Sequence, residues 1–290
     1  KAILADAANE LLLRNIYKKY KVNIVFHAAA YKHVPLVEEN PLAGIKNNVF
    51  TTKSICNAAQ LEKVEKVILI STDKAVRPTN VMGASKRLAE LVVQASDSEI
   101  RSSLLEKEGG FTCFSMVRFG NVLDSSGSVV PLFRKQIEQG GPITLTHPDI
   151  IRYFMTITEA SQLVIQAAAL SKGGEVFLLD MGDPISIREL AEQMIKLSGL
   201  SIYGQEKKGD IKIISTGLRP GEKLYEELLI DAGAIPTAHS LIYRAIENSI
   251  PPSELWPLIN DLNKKVCNEE IEDSLELLSK LVPEWERIGD

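Results

Sequence analysis

The chain has 290 residues, 45% of them hydrophobic and 24% charged, with a formal net charge of -5. That length supports one large α/β domain, or a domain with a small lobe, around a sizeable core, and the acidic balance leaves no footprint for nucleic acid. No apolar run approaches the roughly 18 residues of a membrane span, no secretory signal opens the chain, and Cys56, Cys113 and Cys267 are too scattered for a disulfide framework or a zinc site, so each reads as a small core residue in a reducing, cytoplasmic setting.

Residues 2–5 read as a strand, and because the chain opens on it without a Met, further structure is expected before Lys1. Glu10–Tyr20 is predicted helical from the near-3.6 spacing of Leu11, Leu12, Ile16 and Tyr20. Residues 23–27 read as a strand, 42–61 as a long helix, Lys66–Ile70 as a strand, 83–95 as a helix and 112–118 as a strand. Such alternation, with continuously apolar strands, predicts a parallel sheet covered on both faces. Sheets of that kind bind ligands beyond the carboxyl ends of their strands. Three of these ends are polar or small here: His27-Ala-Ala-Ala, Ser71-Thr-Asp-Lys74 and Arg118-Phe-Gly-Asn121. From about residue 122 the pattern loosens around Gly127, Gly140-Gly141-Pro142 and Gly182-Asp-Pro184. Helices are predicted over 158–170, 187–198 and 222–229, a polar surface loop over 200–209, and two amphipathic helices over 252–281.

Thr72-Asp73-Lys74 follows a buried strand, where it is either reactive or a solvated turn. A few residues on, Met82-Gly-Ala-Ser-Lys86 has the shape of a Tyr-x-x-x-Lys dehydrogenase signature, in which the Tyr takes a proton from a sugar hydroxyl and the Lys lowers its pKa. A thioether carries no such proton. Either the signature is inactive or another residue does the proton work.

Four motifs occur in order: His27-Ala-Ala-Ala-Tyr-Lys-His-Val-Pro35, the run from Ser71-Thr-Asp-Lys74 to Met82-Gly-Ala-Ser-Lys86, Arg118-Phe-Gly-Asn-Val122, and Arg219-Pro-Gly-Glu-Lys223. Over residues 1–245 the sequence resembles the nucleotide-sugar 4,6-dehydratases of the extended short-chain dehydrogenase superfamily. The nearest group is the UDP-N-acetylglucosamine 4,6-dehydratases of bacterial polysaccharide and protein-glycan biosynthesis, whose longer, membrane-anchored members carry Met in place of the Tyr. The resemblance implies a Rossmann-like doubly wound parallel sheet. It divides the chain into an NAD-binding portion over 1–122, truncated at its start, and a smaller substrate-binding lobe over 123–290 with segments returning to the sheet.

The implied reaction oxidises C4 of the sugar, removes the C5 hydrogen, expels the C6 hydroxyl as water and returns the hydride to C6. Lys74 is implied as the C5 base, Asp73 as the acid at C6, and Thr72 as the partner of the C4 hydroxyl. Met82 packs beside the sugar or is a plain core methionine, and Lys86 hydrogen-bonds the cofactor ribose. NAD is the expected cofactor, with NADP as an alternative and no metal. Its contacts are implied at Ser71, at the small stretch His27-Ala28-Ala29, at Asn48, whose alternative role is purely structural, and at Asp6 and Ala7. Asp6 is either an adenine contact or a helix N-cap, and His27 by itself reads as a packed histidine. No Gly-x-x-Gly-x-x-Gly turn precedes residue 2. Asn121, Ser128 and Val129 are implied at the UDP-sugar, and Arg152 and Arg219 as a pyrophosphate clamp. Glu222 holds the uridine ribose or is a first-turn helix carboxylate. A homo-oligomer is expected. A 4-epimerase and an inactive nucleotide-sugar-binding protein are the competing readings.

Overall fold

The computed structural model describes residues 1–104, 111–125, 127–204, 209–227 and 233–287. Helix α1 (Glu10–Tyr20) begins where the Asn9 side chain accepts the Leu12 amide and ends at Lys21, in the left-handed region at φ 49°. Strand β1 (Ile24–His27) leads to α2 (Val34–Glu39) and α3 (Pro41–Ile45). The latter passes through a π-helical segment, Lys46–Phe50, into α4 (Thr51–Leu61), so the predicted helix over 42–61 is one helical run with a widened turn inside it. Next come β2 (Lys66–Ile70), a 3-10 turn at Asp73–Ala75, α5 (Val81–Leu104) and β3 (Cys113–Arg118).

The chain then runs through β4 (Asn121–Val122), α6 (Val129–Glu138), β5 (Ile143–Leu145), β6 (Ile151–Arg152), β7 (Phe154–Met155) and α7 (Ile157–Leu170). Strand β8 (Val176–Leu179) precedes β9 (Ile185–Ser186), α8 (Ile187–Leu197) and β10 (Ile213–Ser215). Strands β11 (Ile235–Pro236) and β12 (Ile242–Ala245) and helices α9 (Pro252–Cys267) and α10 (Ile271–Leu281) close the order.

Contacts group the chain into two compact units, one of residues 1–119, 163–179 and 228–290, the other of 120–162 and 180–227. The first unit carries a sheet in the order β1-β2-β3-β8-β12-β11. Its first four strands are parallel and the last two antiparallel. The parallel part follows the apolar-run logic: Val67, Ile68 and Leu69 in β2 are no more than 1% exposed, and each such side chain contributes about 2 kcal/mol by leaving water. One core packs Val67, Leu69, Phe114, Met116 and Val176 against Ile55, Ala58 and Ala59 of α4 and Ala89 and Val93 of α5. A second core is helical, joining Met82, Leu88 and Val92 of α5 to Leu255, Ile259 and Leu262 of α9 and Leu278 of α10. The tail beyond residue 228, which a division at 122 gives to the second lobe, therefore belongs with the sheet. The second unit has its own core, in which Phe133, Ile143, Ile187, Ala191 and Ile211 meet.

Several expectations need correction. Residues 2–5 form no strand: no partner pairs with them among the described residues, and Leu4 is fully exposed. A strand without a ladder leaves its amides unpaired. The helix expected over 222–229 is absent through Glu227, with 228 and 229 outside the described residues. The carbonyls of Lys223 and Leu224, which a helix would use, accept from Arg152, and that of Leu224 also accepts from the Ile151 amide. In the expected surface loop over 200–209, Ile202 is buried and bridges Ile211, while 205–208 lie outside the described residues. Cys56 is buried, but Cys113 is half-buried and Cys267 exposed, because α9 buries Leu255, Ile259, Leu262 and Val266 and position 267 lies off that stripe. No described helix is long and apolar enough to cross a membrane.

Candidate active site

The carboxyl end of β2 opens directly into the Thr72-Asp73-Lys74 turn. Thr72 is extended and caps the turn: its Oγ1 accepts from the Lys74 amide at 3.4 Å and donates to Asp73 Oδ1 at 2.9 Å. Lys74 Nζ donates to the same Oδ1 at 2.9 Å. The Asp73 carboxyl is wholly buried, and its Oδ2 has no hydrogen-bond partner among the described residues, whereas the Lys74 side chain is 23% exposed. The turn is held from behind as well, since the Asp73 amide donates to the Phe119 carbonyl at 3.2 Å and the Ser71 amide to that of Val117 at 2.8 Å. A buried acid with a bare oxygen, tied to a partly open amine, is an unusual thing for a turn to bury without use.

The helix that follows is pressed onto this turn. Asn80 Oδ1 accepts the Gly83 amide at 2.8 Å and so starts α5. A Cβ on Gly83 would lie 2.3 Å from the Lys74 carbonyl oxygen and 2.9 Å from Pro78 Cβ. Gly83→Ala should therefore displace the turn despite the better helix propensity of Ala. The expected result is at least a tenfold loss of turnover together with a lower melting temperature, checked by steady-state kinetics and thermal denaturation.

Met82 is 2% exposed and belongs to the helical core with Leu88, Val92 and Leu255. The plain core reading of this residue is the one that its surroundings support. Met82→Leu conserves volume and should cost less than about 1.5 kcal/mol, with turnover near parental in the same two assays.

Lys86 lies one turn further on, 6% exposed, and its Nζ donates to the Ile70 carbonyl at 2.7 Å. Burial lowers its pKa to about 8 against the opposing pull of Glu90. His27 ends β1, also buried, with its Nε2 2.8 Å from Thr52 Oγ1. The Thr52 hydroxyl donates to the Asn48 carbonyl at 2.7 Å, so toward His27 it accepts. The His27 proton is thereby assigned to Nε2, which leaves Nδ1 bare, buried and without a partner among the described residues. Burial first, then the Lys86 charge, lower the His27 pKa to about 3, so the ring is neutral at working pH and no proton shuttle. Asn48, in the π-helical segment, clamps the segment that follows β1 to α5. Its Oδ1 accepts the Tyr31 amide at 2.7 Å, and its Nδ2 donates to the Tyr31 carbonyl at 3.1 Å and to Ser85 Oγ at 2.9 Å.

Ala28 and Ala29, small and exposed past β1, and Lys86, whose ammonium has N–H groups beyond the one given to Ile70, fit the nicotinamide-ribose half of a dinucleotide. The sequence has no glycine before Gly44, so no glycine turn for the pyrophosphate lies among these residues. Asp6 is not the cap of α1, a place taken by Asn9; its Oδ1 accepts the Ala8 amide at 2.8 Å in a turn that includes Ala7.

The remaining predicted residues lie in the second unit. Asn121, in β4, donates its amide to the Tyr153 carbonyl at 3.0 Å. Ser128 occupies the N-cap position of α6, ahead of Val129, yet its buried Oγ has no hydrogen-bond partner among the described residues. Arg152 is not an open fork. Its Nη1 donates to the carbonyls of Ile151 at 2.7 Å and Leu224 at 3.1 Å, and its Nη2 to that of Lys223 at 2.7 Å. Glu222 and Glu226 stand 3.7 and 3.6 Å from the same guanidinium. The side chain is thus a strut for residues 222–226. Arg219 is exposed, and Glu222, which is no helix carboxylate, accepts the Thr146 hydroxyl at 2.9 Å and the Arg219 amide at 3.2 Å.

Sequence reasoning missed a buried ionic cluster behind the turn. Glu90 Oε1 accepts from Ser71 Oγ at 2.6 Å and Arg118 Nε at 2.8 Å, and Oε2 from Arg118 Nη2 at 2.6 Å and Arg87 Nη1 at 3.1 Å. Arg118 also pairs with Glu247, and Arg87 with Glu284 at 2.7 Å and the Asn248 carbonyl at 2.9 Å. The available signal was a helix whose residues 81–93 are all buried although three of them, Lys86, Arg87 and Glu90, are charged. Among the described residues no cluster of His, Cys, Asp and Glu could hold a metal.

Residues 1–247 match the family model described as "Polysaccharide biosynthesis protein". The chain is 47% identical over 270 residues to the capsular polysaccharide biosynthesis protein CapD of Staphylococcus aureus, covering 93% of this chain and 43% of that protein. It is 40% identical over 208 residues to a UDP-glucose 4-epimerase of Rickettsia rickettsii (strain Sheila Smith), covering 72% of this chain and 56% of that one. The chain thus spans about half or less of these curated relatives. A solved structure, Pen from Bacillus thuringiensis, superposes with a TM-score of 0.72 at 34% identity, over 90% of this chain and 81% of that one.

Proposed function

We propose that this chain, which belongs to the polysaccharide biosynthesis protein family, is the catalytic part of an NAD-dependent 4,6-dehydratase acting on a UDP-linked N-acetylhexosamine, UDP-N-acetylglucosamine foremost. The observation that carries the reading is the Asp73–Lys74 pair, buried at one end and open at the other, just past β2 and beside a Tyr position filled by a core methionine. An epimerase works at C4 alone and has no use for that pair, whereas dehydration needs a base at C5 and an acid at C6.

NAD, held by Lys86 and the backbone at Ala28 and Ala29, would supply the hydride chemistry, taking it from C4 and giving it back at C6. Thr72 holds the C4 hydroxyl, whose proton leaves to solvent as the C4 hydride goes to the cofactor. Lys74 takes the proton from C5, which the neighbouring ketone has made acidic, and Asp73 protonates the departing C6 hydroxyl. Lys74 gives a proton back to C5 as the hydride arrives at C6, and solvent re-protonates Asp73 to close the turnover. For these roles the amine must be neutral and the carboxyl protonated. Moving one proton across the 2.9 Å contact between Lys74 Nζ and Asp73 Oδ1 turns the ion pair into that form without exchange with solvent. Desolvation by a bound sugar favours the neutral pair. Lys86 orients the cofactor ribose, with Ala28 and Ala29 giving its backbone room. Asn121, Ser128, Val129, Arg219 and Glu222 are assigned to the nucleotide and sugar, with Arg152 holding the segment that presents Glu222.

The second reading, a 4-epimerase, is favoured by the relative of that name. One incubation separates the two: the protein with NAD+ and UDP-N-acetylglucosamine, followed by mass spectrometry. Loss of one water from the sugar nucleotide is expected. A diastereomer of unchanged mass would point to the epimerase instead, and an unchanged substrate would overturn both readings for this sugar.

A further inference from the structure

Buried ion pairs are weak evidence of stability, since well-packed apolar residues often do as well. A helix that keeps Lys86, Arg87 and Glu90 among buried Leu88, Ala89 and Leu91 therefore asks what the charges do. Glu90 follows Lys86 by four residues, which puts both on one face of α5. Lys86 gives its charge to a neutral acceptor, the Ile70 carbonyl, so its own bond supplies no counter-ion. Of the titratable and charged groups on the packed elements, His27 from β1, neutral, and Glu90 on α5 act on Lys86; the Asp73–Lys74 pair after β2, Arg118 from β3, Glu247 after β12 and Arg87 on α5 are held in pairs of their own. Asp73 is engaged by Lys74, and Glu247 by Arg118 with Arg87 3.5 Å away.

We propose that Glu90 is a positioning residue that acts through Lys86: its buried carboxylate, held in place by Ser71, Arg87 and Arg118, is the counter-charge that keeps the desolvated Lys86 ammonium protonated at working pH. The consequence for turnover rests on the dehydratase reading; the charge relation does not. Neutralising Glu90 removes the one charge that opposes the burial of Lys86 and leaves Arg87 and Arg118, the cations that Glu90 holds, without that carboxylate; a buried ammonium without a counter-charge has its pKa lowered further.

The test is a titration of the Lys86 ε-amine by NMR on the full chain, with the signal assigned by its loss in Lys86→Arg. In the parent the midpoint should fall near 8. In Glu90→Gln it should fall by about one pH unit or more, and the alkaline limb of kcat/KM should move down with it. In Arg87→Gln, which removes a cation and keeps Glu90, it should rise. A merely structural role would lower activity in both variants and move neither midpoint. An unmoved midpoint in folded Glu90→Gln overturns the proposal. If Glu90→Gln does not fold, Arg87→Gln decides: a rise of about half a unit sustains the proposal and no rise overturns it. A parent that titrates as stated but dehydrates nothing would sink the functional reading and leave the Glu90–Lys86 relation standing.

Discussion

Lys74→Ala is expected to abolish dehydration, by about a thousandfold or more, while binding of UDP-N-acetylglucosamine stays within a few fold of the parent. A positioned base contributes on the order of 10²–10⁴, and no nearby group can stand in for this one. Asp73 would be the sole titratable neighbour on the turn, and His27, with its pKa lowered to about 3 by burial and Lys86, is too weak a base. Binding survives because most of the grip on a nucleotide sugar falls on its diphosphate and uridine, away from C5. Asp73→Asn gives the complementary result. It conserves shape, keeps the C5 base and removes the acid. In heavy water the parent should place deuterium at C5 and lose water, Lys74→Ala should do neither, and Asp73→Asn should exchange C5 without expelling the hydroxyl. Near-parental turnover by Lys74→Ala would overturn the assigned roles.

The parts of this molecule that were legible in the sequence are those with local causes. The span of β2 follows from an apolar run bounded by charge and turn residues, and α1 from its helical spacing, although its N-cap is Asn9 and not the Asp6 that the sequence offered. The alternation of strands and helices from β1 to β3, and their parallel pairing, follow from the apolar runs, although the same reading added a strand over 2–5 that does not form. What escaped had distant causes. Residues 222–227 read as a helix until Arg152 takes two of their carbonyls from some seventy positions away. The same bonds make Arg152 a strut, although its place in the sequence suggests a phosphate ligand. The widened turn at Lys46–Phe50 leaves no periodic mark, yet it aims Asn48 at Tyr31 and Ser85. Nothing in the sequence marks Glu90, because its partner Arg118 lies 28 residues on, and Glu247, the other carboxylate on Arg118, 129 residues beyond that arginine. Ser-Thr-Asp-Lys was legible for the opposite reason: its geometry is made by adjacent residues and by the strand end they follow.

Arg118→Met should have the largest effect on stability. The guanidinium is fully buried between Glu90 and Glu247, and deleting it leaves two buried carboxylates to share Arg87. Breaking a buried pair from one side costs about 3–5 kcal/mol, so the melting temperature should drop by on the order of 10 °C. The pH dependence identifies the cause. Burial alone would raise the Glu90 pKa, but the charge and hydrogen bonds of Arg118, followed by Arg87 and Ser71, outweigh it and hold the carboxyl down to about 2, from 4.5. A folded-state pKa below the unfolded one stabilises above the unfolded value, and that contribution is lost as the pH falls from 4.5 through about 2. Without Arg118 the depression is largely removed. The deficit of Arg118→Met against the parent should therefore be greatest at neutral pH and shrink as the pH falls below about 4, as followed by paired thermal melts. A deficit that stays constant across that range would mean that Arg118 acts through packing volume and not through its charge.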